Sequence, residues 1–493
     1  MNIMKSLIKI VLLSCTLLFA ACDLNLQPIS EIGEENFYKN TEEMFGAVVA
    51  CYNGMQKPME NEWALTELRS DNARLYSMAT ASADNLLLLG FDQARVSSTN
   101  ERVYEYWFAV YHNIARCNTV LNTENLTVID NDSIRNMFEG EARFIRAYHY
   151  FNLVRLFGPV FIVNERISAT EAKKYNRSPV GDVYDFIIAD LNFAKDNLPK
   201  TYPATEKGRA TAWAAKSLLA KVYITLGKFD IDTKNLLKDI YENSGHSLVH
   251  PYQKVFAVEN ELNDEIIFTI RYKSGGLGLG SPFGNYFAPQ QSGNAVINYT
   301  GKGYNYPTTD LVLSYISSDQ RRDAVLKLDY VNDQGATIAR SYVTKFLSPV
   351  TLNEDGDKDW PIIRFADVVL LYAEIINEMD GCLTALPFIN ETRTRAGLPE
   401  LKEREVSNKH EMRMQIEKER RVEFAYENQR WFDLVRTNRV VEVMNVHYQT
   451  ELFYNSGEDG VQGAGPMTTQ RALLPIPQKE IDINSFVSQN PGY

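Results

Sequence analysis

Histidine and cysteine are scarce in this chain of 493 residues, with six and five copies, and no run of basic residues occurs in it. The closest histidines, His246 and His250, are bracketed by Gly245 and Pro251, so they do not form a helical metal pair. Cys51, Cys117 and Cys382 lie far apart on predicted helices and read as small buried hydrophobes rather than a disulfide framework. A formal charge of −12 without a basic patch argues against nucleic-acid binding. Catalytic signatures are missing too: there is no Gly-x-Ser-x-Gly, no His-Glu-x-x-His and no phosphate-cradling loop. Gly275–Gly280 lacks the dinucleotide spacing and runs into Ser281-Pro282 rather than a helix. Asp355, Asp357 and Asp359 alternate like a calcium loop, but Trp360 and Ala366 stand where its glycine and bidentate glutamate belong. That stretch reads as a solvated acidic turn. A hydrolase could still assemble a carboxylate pair from the 63 acidic residues, though no local pattern marks one. Nothing calls for a metal or a cofactor.

What is present begins at the N-terminus. Lys5 and Lys9 precede an apolar run, Ile10–Ala21, and small residues lead to Cys22. As a helix the run spans about 18 Å, against roughly 30 Å of bilayer hydrocarbon, so it is a signal peptide over 1–21 and not an anchor. Phe19-Ala20-Ala21-Cys22 resembles a bacterial lipobox, although Phe19 fills the place where leucine is preferred. The resemblance implies that Cys22 is acylated, as by palmitate, and tethers the mature chain to a membrane. The alternative, a plain signal peptide, leaves Cys22 as an exposed free thiol, a liability in an exported protein.

The mature part is predicted to be mainly helical. Thr41-Glu42-Glu43 starts a helix with Phe45, Val48, Val49 and Tyr52 on one face. Helices follow over Glu101–Leu121 and Asp132–Phe157; the second carries the stripe Phe144, Tyr148, Phe151, Arg155 and stops at Gly158-Pro159. Val183, Ile187, Leu191 and Ala194 mark another helix, and Ala212, Ala215, Leu219 and Val222 its antiparallel partner, a hairpin resembling a tetratricopeptide unit. Phe365, Val369, Tyr372 and Ile376, with Ala385, Ile389 and Thr392, form a second hairpin. Between them, from His246 to Trp360, short β-rich runs and glycine turns replace helical periodicity. The expected fold is a tetratricopeptide-like helical hairpin scaffold with a loop-rich, small-sheet insert. Its expected divisions are 22–230, 231–363 and 364–493, folded as one unit.

Several segments carry a family likeness. Glu139–Pro159 reads EGEARFIRAYHYFNLVRLFGP, and Arg364–Asn377 reads RFADVVLLYAEIIN. Glu419–Arg436 contains ERRVEFAYENQRWFDLVR, and the C-terminus has Leu474-Pro475-Ile476-Pro477 and ends in QNPGY. With Cys22-Asp23 and the Tyr306–Arg321 segment, these resemble the SusD/RagB family of outer-membrane lipoproteins from Bacteroidetes. The resemblance implies four tetratricopeptide-like units, a location on the outside of the cell outer membrane, glycan binding, and delivery to a TonB-dependent, SusC-like transporter. Trp431-Phe432-Asp433 reads as helix packing and not as a site.

A glycan binder needs flat apolar faces for sugar C–H surfaces and polar groups for hydroxyls. Two loop regions offer both: Arg69, Asp71, Asn72, Arg74 and Tyr76 in one; Phe283, Asn285, Tyr286, Phe287, Asn298, Tyr299, Tyr304 and Asn305 in the other. Three readings stay open: a glycan-binding lipoprotein without catalysis, a lipid-anchored enzyme, or a helical scaffold that binds only protein. A peptide or other nutrient is the alternative ligand.

Overall fold

The computed structural model describes residues 37–75, 82–454 and 464–493; the leader, Cys22 and Tyr76 lie outside them. Helix α1 (Thr41–Asn53) starts at Asn40, whose side chain accepts from the Glu43 N–H. Side-chain caps of the same kind open α4 (Glu101–Val120, Asn100), α5 (Asp132–Phe157, Asn131) and α7 (Ala212–Thr225, Thr211). They also open α8 (Ile231–Asn243, Asp230) and α13 (Lys409–Glu423, Asn408). Helices α2 (Gln56–Thr66), α3 (Ala83–Asp92) and α6 (Val180–Asn197) complete the N-terminal half. Gly158 ends α5 at φ 71°, a conformation that costs a side-chain-bearing residue, and Pro159 prevents continuation.

The long helices pack side by side in a row. Helix α1 lies on α4, α4 on α5, α5 on α6, α6 on α7 and α7 on α8. The row then passes to α11 (Phe365–Asp380), α12 (Cys382–Arg395) and α13. Tyr241 of α8 joins the two halves, stacking on Phe365 and hydrogen-bonding Glu391 at 2.5 Å. The mainly helical, tetratricopeptide-like expectation holds. Helix α8 belongs to the row, so irregular structure begins at Ser244 rather than 231. The α1 expectation is corrected. Met44, Ala47, Val48 and Cys51 are buried, whereas Phe45 and Val49 are exposed, because the helix carries two overlapping apolar stripes and α4 and α5 cover the first.

The insert enters and leaves through one ladder. Strand β2 (Ile266–Ile270) pairs antiparallel with β8 (Trp360–Arg364), Ile270 opposite Trp360. Strand β1 (Ala73–Arg74) pairs with β3 (Tyr306–Pro307); β4 (Leu326–Lys327) pairs with β7 (Tyr342–Val343), and β5 (Tyr330–Val331) with β6 (Thr337–Ile338). Short helices α9 (Phe283–Phe287) and α10 (Thr309–Ser314) lie between. One hydrophobic cluster runs from Met44 through Phe283 and Trp360 to Val487, so insert and scaffold share a core.

Charge also fastens them, out of water. Glu423 of α13 accepts from Arg364 Nη1 at 3.0 Å, Arg395 Nη2 at 2.5 Å and Arg321 Nη1 at 3.0 Å. Burial alone would raise its pKa, but Arg395, Arg364 and Arg321 together hold it far below the usual carboxylate range. Lys345 of the insert reaches Glu427 at 2.8 Å, and Arg395 reaches Glu265 at 2.9 Å. The acidic turn is likewise not solvated. Asp355 and Asp359 are buried; Asp355 accepts the N–H groups of Gly275 and Gly276 at 2.8 and 2.9 Å, and Asp359 that of Tyr272 at 2.8 Å. The alternating aspartates hold the glycine-rich loop. Trp431, Phe432 and Asp433 sit on α14 (Arg430–Arg436), which packs against α15 (Val440–Tyr454) and α13, as expected of a packing motif.

Candidate functional site

Helix α9 divides its residues by side. Phe283 and Phe287 are buried; Phe283 meets Trp360 at 4.5 Å, and Phe287 meets Trp63 edge-on at 5.5 Å. Asn285 is buried as well. Its amide donates to the carbonyls of Asn298 (3.1 Å) and Thr300 (3.3 Å), and its oxygen accepts from Glu354 N–H at 3.2 Å. Phe283 and Asn285 are therefore pins that fix the loop, not contact residues, because no face of theirs reaches solvent. Asn305 is buried too, at positive φ.

Tyr286 is different: it is half-buried, with part of its ring open at the surface of the same helix. Segment 302–304 runs beside it, with Lys302 N–H on Asn285 O (2.8 Å) and Tyr304 N–H on Tyr286 O (2.9 Å). This approach requires Gly301, where a Cβ would sit 2.4 Å from Pro289 O and 2.7 Å from Ala288 O. Tyr304 then stacks on Trp63 at 5.5 Å with 14° between planes, and Tyr286 lies edge-on to Tyr304 at 5.7 Å. Tyr299, 47% exposed, leans over the neighbouring loop with its hydroxyl on Thr351 O at 2.6 Å.

Charged groups edge these rings. Lys302 Nζ lies 4.5 Å from the Tyr286 centroid and pairs with Glu354 at 2.8 Å. Arg102 donates to Asp84 at 3.0 Å and to Asn61 at 2.7 Å, its guanidinium 5.9 Å from the rings of Trp63 and Tyr304. The Tyr304 hydroxyl donates to Asp84. Burial, then the Asp84 hydrogen bond, pushes the Tyr304 phenol upward; burial, then the charge of Glu354, does so for Tyr286. Both phenols thus remain protonated donors. Trp63 and Tyr304 are themselves buried, at 0% and 7% exposure, so they back the site, and the expected contact role of Tyr304 is corrected. The surface offered is the rings of Tyr286 and Tyr299 with Lys302, Arg102, Asp84 and Glu354 beside them, the two carboxylates already engaged as acceptors.

The first candidate region does not present its polar groups outward. Arg69, Asp71, Asn72 and Arg74 are buried. Arg69 lies 4.1 Å over the Trp431 ring and donates to Leu473 O at 3.0 Å. Asp71 is gripped by Arg430 at 2.7 and 2.9 Å, Asn72 accepts from Arg421 at 2.9 Å, and Arg74 donates to Pro307 O at 3.3 Å. Charges this far from water persist only when paired, and the pairing turns them inward. The β1–β3 ladder nevertheless joins the two regions, with Arg74 opposite Tyr306, two residues from Tyr304. Trp63, Asp84, Arg102, Lys302 and Glu354 escaped the sequence reading. They come from separate elements, and no periodicity or spacing links positions 63, 84 and 102.

A row of helical hairpins that carries a loop-borne aromatic surface defines a helical-repeat binding scaffold. Two family models match the chain, one described as the SusD family over residues 332–493 and one as starch-binding associating with outer membrane over residues 29–224. The chain belongs to the SusD/RagB family. SusD-like protein P2 of Formosa agariphila is 27% identical over 98% of this chain and 99% of its own. A SusD-like protein of Bacteroides ovatus is 27% identical over 89% and 84%. Among solved structures, a laminarin-binding SusD-like protein is 26% identical, with a TM-score of 0.78 over 92% of this chain and 100% of that one. A SusD homolog from Bacteroides thetaiotaomicron superposes at a TM-score of 0.81 over 94% and 99%, at 21% identity.

Proposed function

We propose that the chain is a lipid-anchored protein of the outer-membrane surface that captures oligosaccharides and hands them, unmodified, to a TonB-dependent, SusC-like transporter. The partly exposed Tyr286 ring, backed by the buried Tyr304 and Trp63 and edged by Arg102, Asp84, Lys302 and Glu354, carries the reading together with the exposed Tyr299. Aromatic faces accept the C–H surfaces of pyranose rings, and charged groups at the edge exchange hydrogen bonds with hydroxyls. The laminarin-binding relative, similar along almost the whole chain, supports a β-glucan as the first ligand to try. The family description that associates such chains with the outer membrane supports the location.

Calorimetry with laminarin oligosaccharides tests the binding. Saturable heat is expected, with affinity in the micromolar to millimolar range, about −8 to −4 kcal/mol. Tyr286→Ala and Tyr299→Ala should weaken it, and the recovered sugar should be chemically unchanged. Wild-type affinity in both variants would move the site, and released reducing ends from a pure preparation would replace binding with turnover.

Among the described residues no helix is long and apolar enough to cross a membrane, so passage of the ligand across it falls to a separate channel. Acylation of Cys22 keeps the protein beside that channel at high local concentration, where a modest contact suffices. Labelled palmitate should enter the wild type and not Cys22→Ala, which should become soluble. Gentle detergent extraction should recover a transporter-sized barrel with the lipoprotein; recovery of the lipoprotein alone, under conditions that preserve other membrane complexes, would refute the partnership.

A further inference from the structure

Charge at the aromatic surface limits the class of sugar it can take. Two cations stand there: Lys302, 4.5 Å from the Tyr286 centroid, and Arg102, 5.9 Å from that of Tyr304 behind it. Each is already neutralised by a carboxylate. Lys302 Nζ pairs with Glu354 Oε1 at 2.8 Å. Arg102 gives Nε to Asp84 Oδ1 at 3.0 Å and Nη1 to Asn61 Oδ1 at 2.7 Å. The pairs are within reach of a ligand, with side-chain exposures of 33% for Lys302, 26% for Glu354 and 39% for Asp84.

Further carboxylates stand close by. Glu60, paired with Lys57 at 2.5 Å, acts on the Tyr286 hydroxyl together with Glu354 and Asp84, and Arg102 opposes them. Glu105 is exposed and meets the Asn61 amide at 3.1 Å, with no ion pair among the described residues, so the surface keeps one carboxylate in excess. A uronate or sulfate ester reaching Lys302 or Arg102 has to displace Glu354 or Asp84 and then lie beside the carboxylate it displaced. Neutral hydroxyls meet no such obstacle. They donate to lone pairs the carboxylates still hold and accept from the cations' remaining N–H groups, breaking neither pair.

We propose that this surface selects uncharged glycans, and that the Lys302–Glu354 and Arg102–Asp84 pairs are what turn away uronates and sulfate esters. The inference rests on the glycan reading of the site and adds to it the charge class of the ligand.

Paired calorimetric titrations of the full-length protein in detergent test it, one with laminarihexaose and one with the same chain oxidised at its primary alcohols to carboxylates. At about 0.01 M salt, where charges act over roughly 30 Å, the oxidised chain should bind about tenfold or more weakly than the neutral one. At about 1 M salt, where that range shrinks to roughly 3 Å, the gap should narrow. Glu354→Gln releases Lys302, so the ratio of anionic to neutral affinity should rise about threefold or more, whatever the variant does to binding as a whole. Adding Lys302→Gln to it should bring the ratio back down. Equal or tighter binding of the oxidised chain at low salt, or an unchanged ratio in Glu354→Gln, would overturn the selectivity and leave the glycan reading in place. Heat from neither sugar would sink that reading, and this inference with it.

Discussion

Replacing Glu423 by glutamine keeps the volume of the side chain but changes what it offers three buried cations. Oε1 accepts from Arg364 and Arg395, and Oε2 from Arg321. The amide supplies one acceptor and turns two N–H donors toward guanidinium groups that are themselves all donors. Arg364 retains Glu265 and Glu427, Arg395 retains Glu265, and Arg321 retains Asp319 and Glu419, so the cluster persists but loses the carboxylate that all three guanidiniums share. Removing one partner of a buried ion pair costs about 3–5 kcal/mol. With about 2.1 cal/mol/K of unfolding entropy per residue, a chain of this size has on the order of 1 kcal/mol/K, so about 4 kcal/mol lowers Tm by about 4 °C. Scanning calorimetry of Glu423→Gln at neutral pH checks this. The control is Glu242→Gln, which breaks a half-exposed pair with Lys238 at 3.7 Å and should move Tm by about 1 °C or less. Because the folded pKa of Glu423 is depressed, its contribution is present above the ordinary glutamate value near 4.3 and fades as pH falls below it. Glu423→Gln and wild type should therefore converge in acid. Equal melting at pH 7, or a gap that widens in acid, would refute the reasoning.

Glu62 runs the other way: burial, only partly offset by Arg155 and by hydrogen bonds from Tyr106, Asn428 and Tyr148, raises its carboxyl to about 7. Its stabilising effect is thus complete below the ordinary glutamate pKa and lost as pH rises through 7, so Glu62→Gln should gain about 2 kcal/mol on wild type between pH 5 and pH 8 in urea titrations; parallel pH profiles would exclude this. Gly301→Ala drives a Cβ into two backbone carbonyls beside Tyr286, so ligand affinity should fall by about tenfold or more while the scaffold still melts cooperatively; unchanged binding would detach this loop from the site. Asp355→Ala frees the N–H groups of Gly275 and Gly276 and should make limited proteolysis cut within 275–280, a site protected in the wild type; an unaltered digest would mean the loop is held otherwise.

The helical row was legible because its signals are local. Asp132–Phe157 coincides with the predicted helix at both ends, set by the 3.6-residue apolar period and the Gly158-Pro159 stop. The hairpin at Phe365–Asp380 and Cys382–Arg395 followed from the same spacing. Helix α1 shows the limit of such reading: periodicity found the helix, but two stripes fitted it, and only the neighbours α4 and α5 chose which was buried.

Burial of charge was illegible. Arg69, Asp71, Asn72 and Arg74 read as loop polarity until Trp431, Arg430 and Arg421, more than 340 residues away in sequence, supplied a ring and two guanidiniums. Sequence by itself determined the helices, the family and the aromatic stretch containing Tyr286, Tyr299 and Tyr304, because each is written in contiguous residues. Tertiary structure alone decided that Phe283 and Asn285 are pins and Tyr286 a face. It alone set the buried Trp63 behind that face and brought Asp84 and Arg102 to its edge. The physical reason is that exposure and pairing are properties of neighbours in space, which the chain acquires only when its distant segments have packed.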